Sequence, residues 1–120
     1  MSSFLYFSTH GPEDPRRAAL PFVLAMGAIE SGHGAAVCLA CGATSLLKEH
    51  VAKAVHPANW PTLEELMATA SNCGVEIFAL PDCAEQIGLT ESELLAKHAR
   101  LTNARAFAAL CADAQHVISI

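Results

Sequence analysis

Hydrophobic residues along the chain form short continuous runs, and segments with helical periodicity lie between them. The runs at 4–7 and 35–40 are apolar at every position. Continuous apolarity is typical of strands that are covered on both faces, as in a parallel sheet between helix layers. The same pattern predicts strands at 75–80 and 116–120, whereas His98–Thr102 fits either a fourth strand or a loop.

The first long segment between strands carries helix signals. Apolar residues in 19–29 recur every three or four positions, and Asp14 followed by Pro15 is a typical helix start. Pro21 leaves two alternatives open, because proline is tolerated in the first helical turn and kinks a helix interior. The helix begins either near Leu20 or at Pro15 with a kink.

Three later segments begin with residues that cap helices. Thr62–Glu65 and Thr90–Glu93 have the spacing of a capping box, in which the threonine and the glutamate each bind a backbone amide of the other. Asn103 is placed to cap a helix that runs through Ala114. Residues 42–55 fit a loop with a modest helix.

Strands alternating with helices, with glycine at helix ends and few hairpin signals, indicate βαβ units. Right-handed crossovers between parallel strands place helices on both faces of the sheet. We therefore expect the α/β class, a three-layer α/β/α arrangement with a mostly parallel sheet of about five strands. A chain of 120 residues fits one domain, here 1–120.

Composition narrows the classes of partner. The apolar fraction is 52% and the charged fraction only 16%, so we expect an apolar surface that is covered by a partner, most simply a second copy of the chain. The net charge of −5 and the scattered basic residues argue against nucleic acid or an anionic membrane as a partner. The most apolar stretch, Leu20–Ile29, is about half the ~20 residues that a membrane span requires.

The cysteine content indicates a reducing compartment. Five cysteines, an odd number, occur without a recognisable secretion signal after Met1. Free thiols are typical of such a chain, and we expect a cytoplasmic location.

Candidate chemistry follows from the rule that ligands bind beyond the carboxyl ends of parallel strands. The rule selects the loops at 8–14, 41–45 and 81–88. Their candidate side chains are those of His10, Cys41, Thr44, Ser45, Asp82 and Cys83.

Cys83 is the strongest candidate among them. It follows a strand and opens a predicted helical turn at 83–87, where backbone amides favour a thiolate and hence a nucleophile. Asp82 opposes this effect, because a neighbouring negative charge disfavours the thiolate. The alternative is a small buried residue beneath a helix, the usual environment of a free cysteine.

The other candidates have weaker patterns. Cys38 and Cys41 have C-x-x-C spacing. Cys38 falls inside a predicted strand and is better explained by packing. For Cys41, at the strand end, both a functional and a structural role stay open. His10 fits a general base or a solvated loop histidine. A metal site made by His10, Cys41 and Cys83 is a further alternative, although no second ligand motif accompanies it.

The two remaining cysteines are not expected at the site. Cys73 and Cys111 lie on or near predicted helix faces and are expected in the core. The sequence contains neither a G-x-G-x-x-G motif nor a P-loop, so nothing predicts a nucleotide or another organic cofactor.

The order of these elements resembles the DsrE/DsrF-like family of small sulfur-relay proteins. The resemblance covers nearly the whole chain: the first strand running into Gly11–Pro15, the helix closed by Gly32-His33, and the stretch from His56-Pro57 to Leu66. Its more specific blocks are that stretch and Gly74–Ile77 leading to Cys83–Thr90.

The resemblance implies a three-layer domain that assembles into trimers or hexamers. It also implies that a cysteine after the third strand carries sulfur as a persulfide between donor and acceptor proteins, without a metal or organic cofactor. Members often have a cysteine eight residues before the glycine of the short helix and a second one five before it. Here Leu80 occupies the first position and Cys83 the second, and Ile87 replaces an arginine often found before Gly88.

Two hypotheses follow from the sequence. In the first, Cys83 is the nucleophile and persulfide carrier, and His10 with the amides of the 83–87 turn stabilises its anion. In the second, the protein is a non-catalytic oligomeric binding module, which the residues at Leu80 and Ile87 favour.

Overall fold

Residues 3–120 are described by a computed structural model, in which the apolar runs form a parallel sheet. The strands are β1 Ser3–Ser8, β2 Gly34–Leu39, β3 Glu76–Ala79, β4 Ala99–Leu101 and β5 His116–Ser119. Their order in the sheet is β4-β3-β2-β1-β5, and every neighbouring pair is parallel. The predicted α/β class is therefore confirmed, and His98–Thr102 contains a strand.

Five α-helices lie within the described residues 3–120, at or near the predicted positions. They are α1 Pro15–Glu30, α2 Leu63–Asn72, α3 Pro81–Gln86, α4 Glu91–Ala96 and α5 Ala104–Asp113. The modest helix expected within 42–55 is instead a pair of 3₁₀ segments, Cys41–Leu47 and Ala52–Ala54. Across residues 3–120, no helix has the length and apolar character needed to cross a membrane. The amino-terminal Met1, where a targeting signal would begin, lies outside the described residues.

Helix α1 resolves the ambiguity at Pro21. The Asp14 side chain accepts a hydrogen bond from the Arg17 amide, and the helix then continues from Pro15 through Pro21. The alternative of a helix that begins near Leu20 is wrong, because the Asp14 cap and Pro15 at the first helical position already fix its start.

The two predicted capping boxes differ. At α4 the box is complete, since Thr90 Oγ1 accepts from the Glu93 amide and Glu93 Oε1 accepts from the Thr90 amide. At α2 Thr62 Oγ1 accepts from the Glu65 amide, but Glu65 Oε1 accepts from the Thr62 hydroxyl rather than from its amide. Only the threonine half of that box has formed.

The two faces of the sheet are covered to different extents. One face packs against α1 and α2 around fully buried residues such as Phe22 and Leu63. The other face carries a smaller cluster of Leu5, Cys38 and Phe78, against which α5 packs. No residue of α5 or β5 is buried, so this side of the molecule is the less completely covered.

Candidate functional site

The candidate site lies at the carboxyl edge of the sheet, where the loops after β1, β2 and β3 meet. The first two loops are in close contact at Gly11, where an added Cβ would overlap the carbonyl oxygen of Gly42. The loop after β2 meets α3 through Cys41 and Cys83. The parallel sheet therefore brings the three predicted loops together, as expected from the strand-end rule.

Cys83 is the third residue of α3 and is half-buried. Its Sγ accepts a hydrogen bond from the backbone N–H of Cys41, with 3.2 Å between the nitrogen and the sulfur. The helix begins at Pro81, two residues earlier than predicted, so Cys83 lies within the first turn rather than at its start. The backbone amide that donates to Cys83 Sγ therefore belongs to the neighbouring loop and not to the helical turn that contains Cys83.

Cys41 is exposed and has an unusual backbone conformation. Its φ angle is 52°, in the left-handed region that non-glycine residues rarely adopt. Two hydroxyl groups hold the turn in place: Thr44 Oγ1 donates to the Cys41 carbonyl at 2.7 Å, and Ser45 Oγ donates to the Gly42 carbonyl at 2.8 Å. They restrain the Cys41 and Gly42 carbonyls, while the Cys41 amide donates to the sulfur of Cys83.

Cys38 lies beneath this pair and has a different environment. Its side chain is fully buried in the apolar cluster with Leu5 and Phe78, as expected for a packing residue in a strand. Burial, with smaller contributions from Cys111 and Cys83, raises the pKa of the Cys38 thiol to about 12. Cys38 therefore stays a neutral thiol at physiological pH.

The remaining cysteines lie apart from the loops. Cys111, on α5, is partly buried against the cluster around Cys38. Cys73 was expected in the core, but it is the exposed residue that ends α2. The expectation for Cys73 is wrong, because the helix terminates at that residue and turns through Gly74 (φ 102°) before β3 begins.

The charged and polar candidates line the loops without contacting the sulfur. His10 is half-buried, and its Nδ1 lies 3.5 Å from Thr9 Oγ1. Asp82 is exposed in the first turn of α3, and Glu13 Oε1 accepts a hydrogen bond from the Gly11 amide at 2.9 Å. Within residues 3–120, no lysine, arginine or histidine donates a hydrogen bond to Cys83 Sγ.

Two positions at which this sequence differs from the family pattern carry apolar side chains. Leu80 packs against the cluster of Leu5, Cys38 and Phe78, and Ile87 ends α3 half-buried. Neither residue supplies charge to the site.

The structure does not bring His10, Cys41 and Cys83 together as a set of three metal ligands. In the described part of the chain, no group of three or more histidine, cysteine, aspartate or glutamate side chains could hold a metal ion. The alternative built on His10, Cys41 and Cys83 thus has no geometric support.

The sequence predicted candidate side chains at these strand ends but gave no sign of the hydrogen bond between the Cys41 amide and Cys83 Sγ. Backbone amides carry no signature in a sequence, and the left-handed turn at Cys41 depends on the hydroxyls of Thr44 and Ser45. A local signal was Gly11, whose lack of a Cβ allows the close approach of the Gly42 carbonyl.

Comparisons with known proteins agree on the fold. The model of the DsrE/DsrF-like family matches residues 2–120. The structure is similar to that of the YchN protein from E. coli, with a TM-score of 0.73, 12% identity and complete coverage of both chains. It is also similar to BT1422 from Bacteroides thetaiotaomicron, with a TM-score of 0.72 and 14% identity over 99% of this chain and 95% of the other. None of the curated protein sequences compared with the chain matches it.

Proposed function

Because the chain belongs to the DsrE/DsrF-like family, we propose that it handles sulfane sulfur, with Cys83 as the persulfide carrier. In the loading step the Cys83 thiolate attacks the outer sulfur of a donor persulfide, R–S–SH. The new S–S bond forms on Cys83, the bond within the donor breaks, and the donor leaves as the thiolate RS⁻. The outer sulfur keeps its proton, and no metal or organic cofactor takes part.

The observation that carries this proposal is the hydrogen bond from the Cys41 amide to Cys83 Sγ at 3.2 Å. A donor aimed at the sulfur stabilises its anionic form, which is the nucleophile in such an exchange. Cys83 is also half-buried rather than sealed, so a donor can reach it.

His10 is assigned a supporting role in the same step. It lies on the loop that touches the Cys41 turn through Gly11 and Gly42. An imidazole N–H can donate a hydrogen bond to an anionic sulfur, so His10 can stabilise the thiolate RS⁻ that leaves the donor. Asp82 and Glu13 place negative charge at the edge of the site.

The loading step is tested by intact-protein mass spectrometry. After incubation with inorganic tetrasulfide and removal of excess donor, the wild type is expected to gain about 32 Da, one sulfur atom. Cys83→Ser should abolish the adduct, and the matched Cys73→Ser variant should retain it. An adduct of equal size in Cys83→Ser would place the sulfur elsewhere and refute the carrier role.

We further propose that the working form is a homotrimer or homohexamer and that sulfur donor and acceptor proteins are its other partners. The exposed residues of β5 support self-association, because Val117 and Ile118 are 47% and 37% exposed on an edge strand. The unpaired cysteines of the described chain are consistent with a cytoplasmic location.

The second candidate function is a non-catalytic binding module on the same scaffold. The apolar packing of Leu80 and the absence of a cationic neighbour among the described contacts of Cys83 favour it. This alternative predicts that Cys83 reacts with iodoacetamide no faster than Cys73, which is more exposed. The carrier role predicts that Cys83 reacts faster than Cys73 at pH 7, because the Cys41 amide stabilises the anionic form of its sulfur.

A further inference from the structure

Two thiols with different environments, Cys41 after β2 and Cys83 in α3, lie on neighbouring segments at the carboxyl edge of the sheet. The Cys41 nitrogen is 3.2 Å from Cys83 Sγ. Because an N–Cα bond is about 1.46 Å long, the Cα atom of Cys41 lies within about 4.7 Å of that sulfur. A disulfide requires the two Cα atoms to lie about 4.4–6.8 Å apart, and the contact between the Cys41 nitrogen and Cys83 Sγ brings the two residues near that range.

Packing does not explain the Cys41 side chain. The residue is exposed, and its left-handed backbone (φ 52°) would be adopted more readily by glycine. Strained backbone at a candidate site is a reason to look for a function of the side chain that stands there. Cys41 thus differs from Cys38, whose position in the core is explained by burial.

The other thiols near Cys83 are poor competitors for a reaction with it. Cys38 is fully buried with a pKa of about 12, and Cys111, on α5, is partly buried against the cluster around Cys38. Cys41 is the exposed thiol whose own backbone touches the Cys83 sulfur.

We propose that Cys41 is the resolving thiol of Cys83 and releases the carried sulfur as hydrosulfide. This inference rests on the proposed persulfide at Cys83. The Cys41 thiolate attacks the inner sulfur, Cys83 Sγ, so that a Cys41–Cys83 disulfide forms and the bond to the outer sulfur breaks. The outer sulfur leaves as HS⁻ with its own proton, and the two electrons that reduce it come from the two cysteines, which become the disulfide.

This step gives the carried sulfur a second way to leave the site. Sulfur passes to an acceptor protein when one is bound, and otherwise leaves as hydrosulfide, with the protein left in its disulfide form. A dithiol reductant is the class of reagent that must return the disulfide to two thiols before the next loading.

The test follows the loaded protein after excess tetrasulfide has been removed by desalting, in buffer without reductant. We expect the wild-type adduct to decay to a species about 2 Da lighter than the reduced protein, with about one sulfide released per chain. Peptide mapping should place the disulfide between Cys41 and Cys83. In Cys41→Ser the adduct should persist, with sulfide release slowed by more than about tenfold because the reaction is no longer intramolecular.

Two variants separate the role of the thiol from the geometry of the turn. Cys41→Gly, which suits the positive φ, should behave as Cys41→Ser, whereas Cys73→Ser should release sulfide as the wild type does. Equal release by the wild type and both Cys41 variants would overturn the resolving role while leaving the carrier role intact. Failure of the wild type to load at Cys83 would instead overturn the carrier role, and this inference with it.

Discussion

The backbone conformation of individual residues at the strand ends determines the geometry of the site more than the chemistry of their side chains does. Gly11 allows the first loop to touch the second, and the hydroxyls of Thr44 and Ser45 fix the left-handed turn of Cys41. As a result, a backbone amide rather than a cation faces Cys83 Sγ. The reactivity of that sulfur therefore depends on loop conformation.

Gly11→Ala tests the contact between the first two loops. A methyl group at this position would overlap the Gly42 carbonyl oxygen and lie 2.9 Å from its carbon, so the loops must separate. We expect the free energy of unfolding to fall by about 1–3 kcal/mol, as for other overpacked sites.

The matched control is Gly27→Ala, an exposed position inside α1 with no atom within 4 Å of an added Cβ. It should raise the free energy of unfolding by about 0.5–1 kcal/mol through helix propensity. Urea denaturation measures both changes, and an unchanged midpoint for Gly11→Ala would show that the loops adapt without cost.

The burial of Cys38 gives a second prediction at the residue scale. Because its pKa is raised to about 12, the thiolate fraction near pH 8 is very small. Iodoacetamide at that pH should modify the exposed Cys73 and Cys41 while Cys38 stays unmodified in the native protein, as read by peptide mass spectrometry. Modification of Cys38 at the rate of Cys73 would contradict the burial described here.

At the scale of elements, α4 is tied to the neighbouring 3₁₀ region by one carboxylate. Glu93 caps its own helix at the Thr90 amide and also accepts hydrogen bonds from the Glu49 amide and from Lys48 Nζ. The Glu49 amide is the largest influence, followed by the Thr90 amide and Lys48, and together they lower the pKa of Glu93 from 4.5 to about 2. Lys48 Nζ also donates to the Gly88 carbonyl, which extends the connection to the end of α3.

Glu93→Gln should reduce the pH dependence of stability. The depressed pKa means that the ionised carboxylate stabilises the native state fully above about pH 4.5, and this stabilisation is lost as pH falls towards about 2. Denaturation at several pH values should show a smaller decrease across that window for Glu93→Gln than for the wild type.

Glu91→Gln is the control for this prediction, because Glu91 lies in the same helical turn and no side-chain hydrogen bond is described for it. It should keep the wild-type pH dependence between pH 4.5 and 2. An identical slope for Glu93→Gln and the wild type would rule out the contribution of the Glu93 network.

At the scale of the whole molecule, the two faces of the sheet differ in cover. The side of α1 and α2 is closed over a continuous core, whereas α5 lies over a small cluster and β5 is an exposed edge strand. A surface of this kind is consistent with the proposed homo-oligomer.

Val117→Glu tests self-association through β5. A charge at this apolar position should shift the protein to a smaller species in size-exclusion chromatography with light scattering, because an unpaired buried charge is costly in an interface. Leu95→Glu is the control, since Leu95 is 67% exposed on α4, beside the opposite edge of the sheet. A wild-type protein that is already monomeric would refute the oligomer proposal.

Local patterns predicted most of the fold because each one reflects a local energetic preference. The cap at Asp14, the complete box at Thr90–Glu93 and the continuous apolar runs need no knowledge of distant residues. The patterns left two alternatives open at Pro21, which the structure places inside a helix that begins at Pro15. They predicted a modest helix within 42–55, where the structure has 3₁₀ segments, because apolar spacing in a short segment does not separate the two helix types.

The sequence by itself determined the α/β class, the order of the elements and the identity of Cys83 as the candidate nucleophile, because hydrophobic period, capping residues and strand ends are local properties. Only the tertiary structure decided which group faces the sulfur. The Cys41 amide reaches Cys83 because parallel pairing of β2 with β3 brings residues 42 positions apart into contact. Sheet pairing acts through space rather than along the chain, so no local pattern encodes that distance.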